Sequence, residues 1–354
     1  MTFQHEHMLT IGVDLGGTNL RIAAYAPQSG ILDSVVLRTR LEAGPEAVVD
    51  DMCAAIVELL DRHTPTQPLL GVAIGSPGPL ELPAGRLHHP PNLPGWDGFG
   101  LLEAVEQRLG RKVILESDAN LAAIAEHALG LGQSLGIDSL CMLTLGTGVG
   151  NGIVLNGRLW HGASGMGGEA GHVTVEPNGP VCGCGNRGCL ESCASATAVV
   201  RSAVELIEQG KAPGLALLCA DEPLTAERLA TAAYEGDPAA KSIFAATGRY
   251  LGLCLADLVN VLNLPLYILG GGLANSWDLL SPALFEELER RSYVYSLTAR
   301  GRVASHGMPC GGTQVLPAML GADAGLLGAC ILPHYAALPE DSPAAFAPVN
   351  LPCR

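Results

Sequence analysis

His172, Cys182, Cys184 and Cys189 fall within eighteen residues, in the stretch GMGGEAGHVTVEPNGPVCGCGNRGCLE (165–191). Three thiolates and one imidazole make a complete tetrahedral donor set for zinc. Gly183, Gly185 and Gly188 separate the cysteines and let the backbone turn tightly around an ion. A disulfide, or buried free thiols, is the competing reading of the same residues. The Cys-x-Cys spacing is shorter than the common zinc spacing, and Cys193 lies near enough to compete as a ligand. Two carboxylates, Glu169 and Glu191, bracket the stretch.

A second chemistry rests on three glycine turns. Gly16, Gly17, Thr18 and Asn19 form the first; Gly146, Thr147 and Gly148 the second; Gly270, Gly271 and Gly272 the third. Bare N–H groups and hydroxyls in such turns can cradle anionic oxygens. Asp14 stands just before the first turn and can hold Mg²⁺ through water. Taken singly, a glycine turn is usually only a turn, and an aspartate at a strand end is usually a cap. No P-loop is present, because the one Gly-Lys pair, Gly210–Lys211, is followed by Ala212. The run from Gly146 also fails the dinucleotide pattern, with Asn151 where a third glycine belongs.

The elements that must carry these groups alternate. Residues 9–14, 20–26 and 31–38 have the pattern of strands, and Pro45 opens a helix over 46–62. A strand at 69–75 runs into the turn SPGP, followed by a Pro- and Gly-rich loop over 83–98. A helix from Phe99, a strand at 112–116 and a helix at 118–130 follow. Strands at 139–146 and 151–157 flank the second glycine turn. Helices dominate from Ala194 to Asn263, the strongest with Asp237 as N-cap and Pro238 at its first position. Strands at 265–272 and 314–320 enclose another helix, and residues 321–332 form a closing helix. Strands interleaved with helices predict an α/β fold. VDLGGTNLRIA and LTLGTGVGNGIV echo one another as strand, Gly/Thr turn, strand, one in each half.

The bulk properties narrow the partners. The chain has 354 residues, which suggests about two domains. A net charge of −15 argues against a basic nucleic-acid or anionic-membrane surface. Eleven cysteines, no charged leader with an apolar core, and no uncharged apolar run of spanning length suit a reducing, cytoplasmic setting.

GGEAGH followed by CGCGNRGCLE resembles the signature of the ROK family of bacterial sugar kinases and sugar-responsive repressors. DLGGTNLR resembles the first phosphate motif, LTLGTGVGNG the second and ILGGGLA the adenosine motif of the actin-like, ribonuclease-H-like ATPase superfamily. The resemblance covers about residues 9–330. It implies an α/β, two-lobed actin-like fold with a structural zinc loop. The expected divisions are an N-terminal lobe at 1–117, a C-terminal lobe at 118–320 with the zinc loop 165–191, a closing helix 321–332 packing back on the first lobe, and a loose tail at 333–354.

The same resemblance implies a structural zinc on His172, Cys182, Cys184 and Cys189. It puts Glu169, His172 and Glu191 on a sugar, with Gly78 and Asn92 from the loops SPGP and HPPNLPGW. ESDAN (116–120) matches the catalytic stretch, so Asp118 would accept the proton of an attacking sugar hydroxyl. On the residues alone, an N-cap role for Asp118 weighs equally. The family usually has asparagine before this aspartate; here Ser117 stands there, with a shorter reach toward a sugar hydroxyl. ATP as co-substrate, Mg²⁺ on the nucleotide and a homodimer are further implications. His88, His89 and His161 are expected to be structural, and Trp96 to plug its loop. The expected activity is phosphorylation of a hexose, glucose first, with N-acetylmannosamine, N-acetylglucosamine, fructose or allose as alternatives. A repressor would need a helix-turn-helix before the strand at Leu9, and a non-catalytic sugar-binding module would not need Asp118.

Overall fold

The computed structural model describes residues 7–82, 84–219 and 222–337. Of the expected tail, residues 338–354 lie outside the described residues. The chain divides into two compact units, one made of residues 1–139, 152–168 and 322–354, the other of 140–151 and 169–321.

The first unit is built on strands β1 (Leu9–Leu15), β2 (Asn19–Ala26), β3 (Gly30–Arg38) and β4 (Leu69–Ser76), a short hairpin of β5 (Leu80–Glu81) and β6 (Arg86–Leu87), and β7 (Ile114–Ser117). Its five-stranded sheet has the order β3-β2-β1-β4-β7. The β1–β2 and β2–β3 pairs are antiparallel, and β1–β4 and β4–β7 are parallel.

Alternation along β1 decides what covers each face. Leu9, Ile11, Val13 and Leu15 enter one core with Val49, Met52, Ile56 and Leu59 of α1 (Pro45–His63). Thr10, Gly12 and Asp14 turn to the closing helix, Ala324–Ala336. Thr10 Oγ1 donates to the Cys330 carbonyl at 2.6 Å. A Cβ on Gly12 would stand 2.4 Å from the Cys330 nitrogen, so only glycine lets the helix lie this close. Helix α2 (Leu101–Leu109) precedes β7, and α3 (Asp118–Ala128) follows it directly.

The boundary expected between Ser117 and Asp118 compares with a division between compact units after Ser139. Helix α3 joins the first unit because Leu121, Ile124 and Ala128 pack with Leu326, Ala329 and Ile331 of the closing helix. Gly328 meets the Leu121 carbonyl so closely that no side chain fits between them. The closing helix extends four residues past its expected end at 332.

After the short helix α4 (Leu131–Leu135), β8 (Leu140–Leu145), β9 (Val149–Leu155), β10 (Arg158–Leu159), β11 (Leu266–Gly270) and β12 (Gln314–Pro317) form a sheet of order β10-β9-β8-β11-β12. The second unit holds α5 (Leu190–Ala194), α6 (Ala196–Glu208), α7 (Pro213–Leu218), α8 (Ala226–Tyr234), α9 (Pro238–Leu262), α10 (Trp277–Arg291) and α11 (Tyr293–Thr298). Asp237 caps α9, accepting the Ala240 N–H at 2.8 Å. Helix α9 is long and apolar enough to cross a membrane by length and composition. Its buried residues Phe244, Leu251, Leu255 and Val259 identify it as the core helix of this unit, packed by α8 and α10.

Candidate active site

The metal-ligand candidates converge in the second unit. One donor atom from each of His172, Cys182, Cys184 and Cys189 lies within 4.8 Å of every other. His172 Nδ1 stands 3.6 Å from Cys182 Sγ, and Cys184 Sγ stands 3.7 Å from Cys189 Sγ. A tetrahedral zinc with bonds of about 2.3 Å to sulfur and about 2.0 Å to nitrogen separates its ligands by about 3.8 Å (S–S) and about 3.5 Å (N–S). The donor set therefore fits zinc in chemistry and in size. Cys193 lies outside the set, its Sγ 3.9 Å from Ser192 Oγ in α5.

The loop is shaped by its own backbone. The Cys182 N–H donates to the Asn186 carbonyl, and the Gly185 N–H donates back to the Cys182 carbonyl. Gly188 has φ +65, and a Cβ there would lie 1.5 Å from the Glu176 carbonyl oxygen. Burial pushes the Cys182 thiol up to about 12 and raises Cys189, while the Asn186 N–H beside Cys184 lowers its thiol. Metal loading must expel these protons, so it is favoured by rising pH.

With Nδ1 among the donors, His172 Nε2 faces Glu169, 3.9 Å from Oε2. The Glu169 carboxyl is raised, by loss of water first, with His172 lowering it and Glu191 raising it further. Glu191 Oε2 accepts the Val149 N–H at 3.1 Å, and its Oε1 lies 3.8 Å from Cys182 Sγ. This one carboxylate thus ties the metal loop to the second glycine turn.

That turn is docked on the start of α6: the Ala196 N–H donates to the Gly146 carbonyl at 2.9 Å, and Thr197 Oγ1 to the Thr147 carbonyl at 2.8 Å. Gly148 backs onto Glu191, with only 2.4 Å between its would-be Cβ and Oε2. Gly271, at φ +83, packs on the Leu145 backbone, so the second and third glycine turns are neighbours. Gly146 and Gly272 have open space where a side chain would begin.

In the first unit, the Gly16 N–H closes its turn on the Asn19 carbonyl at 2.9 Å. Thr18 and Asn19 are exposed. Gly17 abuts the Asn92 carbonyl, leaving 2.5 Å for a Cβ, so the first glycine turn and the HPPNLPGW loop are brought together. Asn92 is partly exposed, and Gly78 precedes Pro79 through a cis peptide after the buried Ser76. Trp96 is fully buried and meets Phe99 edge-on at 5.3 Å, a plug rather than a ligand platform. Asp14 Oδ2 accepts from Arg21 Nε at 2.9 Å and Nη2 at 2.5 Å. Arg21, which the sequence did not single out, also donates to the Ala322 carbonyl at 2.7 Å. Both Arg21 bonds to Asp14 fall on Oδ2, so Oδ1 is the oxygen with which Asp14 can serve Mg²⁺ through water.

The corner between β7 and α3 assigns the cap. Ser117, with extended φ/ψ, is the N-cap, and its side chain accepts the Asn120 N–H at 3.3 Å. Asp118 is the first helical residue, exposed, with Oδ1 accepting the Ala119 N–H at 2.7 Å. The capping alternative for Asp118 is thereby corrected. Ser117, expected to face a sugar, uses its hydroxyl for the helix.

Two further residues join this corner. Glu116, nearly fully buried, accepts from the Ser117 N–H at 2.9 Å and Asn120 Nδ2 at 2.8 Å through Oε1, and from His161 Nε2 at 2.7 Å through Oε2. The bond to Glu116 raises the His161 imidazole above its ordinary value, against the opposing effect of burial. In the sequence His161 stands as a lone histidine. No local spacing signals a partner forty-five residues away. His88 and His89 are surface partners of Glu81 and Asp97.

Comparison with known proteins follows the same lines. Residues 10–335 match the ROK family. A glucokinase of Halalkalibacterium halodurans is 36% identical over 321 residues, covering 90% of this chain and 92% of its own. The ROK hexokinase of Thermus thermophilus superposes with a TM-score of 0.72 at 34% identity, over 93% of this chain and 98% of its own. The ROK-family glucokinase of Streptomyces griseus, solved with glucose and AMPPNP, superposes with a TM-score of 0.72 at 33% identity, over 92% and 98%. A cysteine–histidine knot bracketed by carboxylates, three glycine turns and an aspartate at the head of α3 thus accompany a match over nearly the whole sequence, and the chain belongs to the ROK family.

Proposed function

We propose that this chain is an ATP-dependent hexose kinase that phosphorylates the 6-hydroxyl of glucose. The observation that carries the reading is the β7–α3 corner. Ser117 serves as the cap, so Asp118 stands at the first helical position, where its side chain is exposed. It accepts the proton of the sugar hydroxyl as that oxygen bonds to the γ-phosphorus and the bond to the β,γ-bridging oxygen breaks, releasing ADP.

Glu169, His172 and Glu191, with Asn92 and Gly78, hold the sugar hydroxyls by directional hydrogen bonds. A site built this way rejects analogues that leave its polar groups unpaired. The N–H groups of Gly16, Gly17, Thr18 and Asn19, and of Gly146, Thr147 and Gly148, receive the phosphates, and Gly271 and Gly272 the adenosine. Asp14 serves Mg²⁺, which when bound neutralises developing phosphate charge. His172, Cys182, Cys184 and Cys189 hold zinc, which fixes the loop carrying two of the sugar carboxylates. The related glucokinase solved with glucose and AMPPNP supports both substrates. We place the enzyme in the cytoplasm as a homodimer.

The test is ADP release on a panel of glucose, fructose, allose, mannose and the N-acetylhexosamines, with and without Mg²⁺. Glucose should give the highest kcat/KM, and turnover should vanish without Mg²⁺. A preferred N-acetylhexosamine would transfer the assignment within the family. No turnover on any sugar would end the kinase reading.

A further inference from the structure

Glu116 lies one residue inside the end of β7, in a fold where buried carboxylates are rare unless fully paired. Its pairing is specific. One oxygen takes both the Ser117 N–H and Asn120 Nδ2, and the other takes His161 Nε2. Asp118 sits between the two residues held by that first oxygen. The corner that carries it is therefore pinned on both sides by a single carboxylate. His161 is itself fixed, since the loop it opens is closed by the Gly167 N–H donating to the His161 carbonyl at 2.8 Å. Gly165 of the same loop rests on Leu82, with 3.1 Å between its would-be Cβ and the Leu82 carbonyl. His161 and Glu116 both line an open cavity of about 570 Å³, with Leu82, Leu102, Leu115 and Ser164.

We propose that Glu116 and His161 form a positioning pair that holds Asp118 in line for proton transfer. The inference rests on the kinase reading above, because it needs Asp118 to act on substrate. His161 is not a catalytic residue in this account. It orients Glu116, and Glu116 fixes the backbone and side-chain amide on either side of Asp118. A carboxylate held by two opposed sets of donors has little freedom to rotate, so the corner keeps one geometry.

The test uses the full chain and compares wild type with His161→Ala, His161→Gln, His161→Asn and Glu116→Gln. Glucose turnover, both KM values and the thermal midpoint are measured for each. His161→Ala should lower kcat about tenfold while KM for ATP changes less than about twofold, as misplacement of a reacting group does. Added imidazole, entering through the open cavity, should restore a large part of that loss. His161→Gln, whose amide can still donate to Glu116, should recover most of kcat, and the shorter asparagine should not. Glu116→Gln should lose at least as much as His161→Ala and gain nothing from imidazole. A folded His161→Ala with wild-type kcat overturns the proposal. So does a loss that imidazole leaves unchanged and glutamine shares. If the alanine variant does not fold, equal kcat in the glutamine and asparagine variants overturns it, and a clear excess for glutamine supports it. A wild-type chain without turnover on any hexose overturns the kinase reading itself, so the two failures are told apart.

Discussion

His172 Nδ1 and Cys182 Sγ are 3.6 Å apart, close to the separation that a shared tetrahedral zinc would impose. The account therefore expects one zinc per chain by metal analysis. Cys184→Ser should lose that metal, lower the thermal midpoint and raise KM for glucose by roughly tenfold or more, because misplaced binding groups forfeit alignment. A metal-free wild type with full glucose affinity would separate the loop from the ion.

Gly148 tests the link between the glycine turn and Glu191. A methyl group there would stand 2.4 Å from Glu191 Oε2 and push the carboxylate off the Val149 N–H. Gly148→Ala should raise KM for glucose as well as for ATP in steady-state kinetics. A change confined to ATP would show that Glu191 plays no part in sugar binding.

Ser117 now has a structural duty. Ser117→Ala should cost about 1 kcal/mol of stability, as loss of an N-cap does. Urea unfolding of the variant reads this directly, and an unchanged midpoint would remove the cap assignment.

Acid should weaken the first unit through His127. This residue of α3 is fully buried and hydrogen-bonded to Tyr335 of the closing helix. Burial lowers its imidazole to about 4 from 6.5. The folded state thus binds its proton more weakly than the unfolded chain does. The stability tied to the neutral ring is complete above the unfolded value and is lost as pH falls toward and through about 4. The full difference is on the order of 3 kcal/mol. Unfolding midpoints should fall between neutral pH and pH 4 with a slope that His127→Gln flattens. Equal slopes would exclude His127 as the source.

Much of this was legible in sequence because it is local. The alternation of Leu9, Ile11, Val13 and Leu15 places β1 in a core, and Asp237–Pro238 marks the start of α9 to the residue. The four metal-ligand candidates lie in one short loop. What was not legible depends on partners distant in the chain. Helix α3 belongs to the first unit because Gly328, about two hundred residues later, has no side chain to hold off the Leu121 backbone. The pairing of Glu116 with His161, and of Arg21 with Asp14, likewise follows from packing that no spacing rule encodes. The choice of Ser117 over Asp118 as cap is a matter of one residue in helix phase, which pattern alone does not fix.

The most direct measurement takes Asp118→Asn, with glucose affinity by calorimetry and turnover by ADP release on the same preparation. The account predicts a loss of roughly 10²–10⁴-fold in kcat, as for removal of a positioned base, with the glucose Kd nearly unchanged. Near-normal turnover, or a loss of glucose binding that accounts for the whole defect, would contradict the role of Asp118 as the proton acceptor.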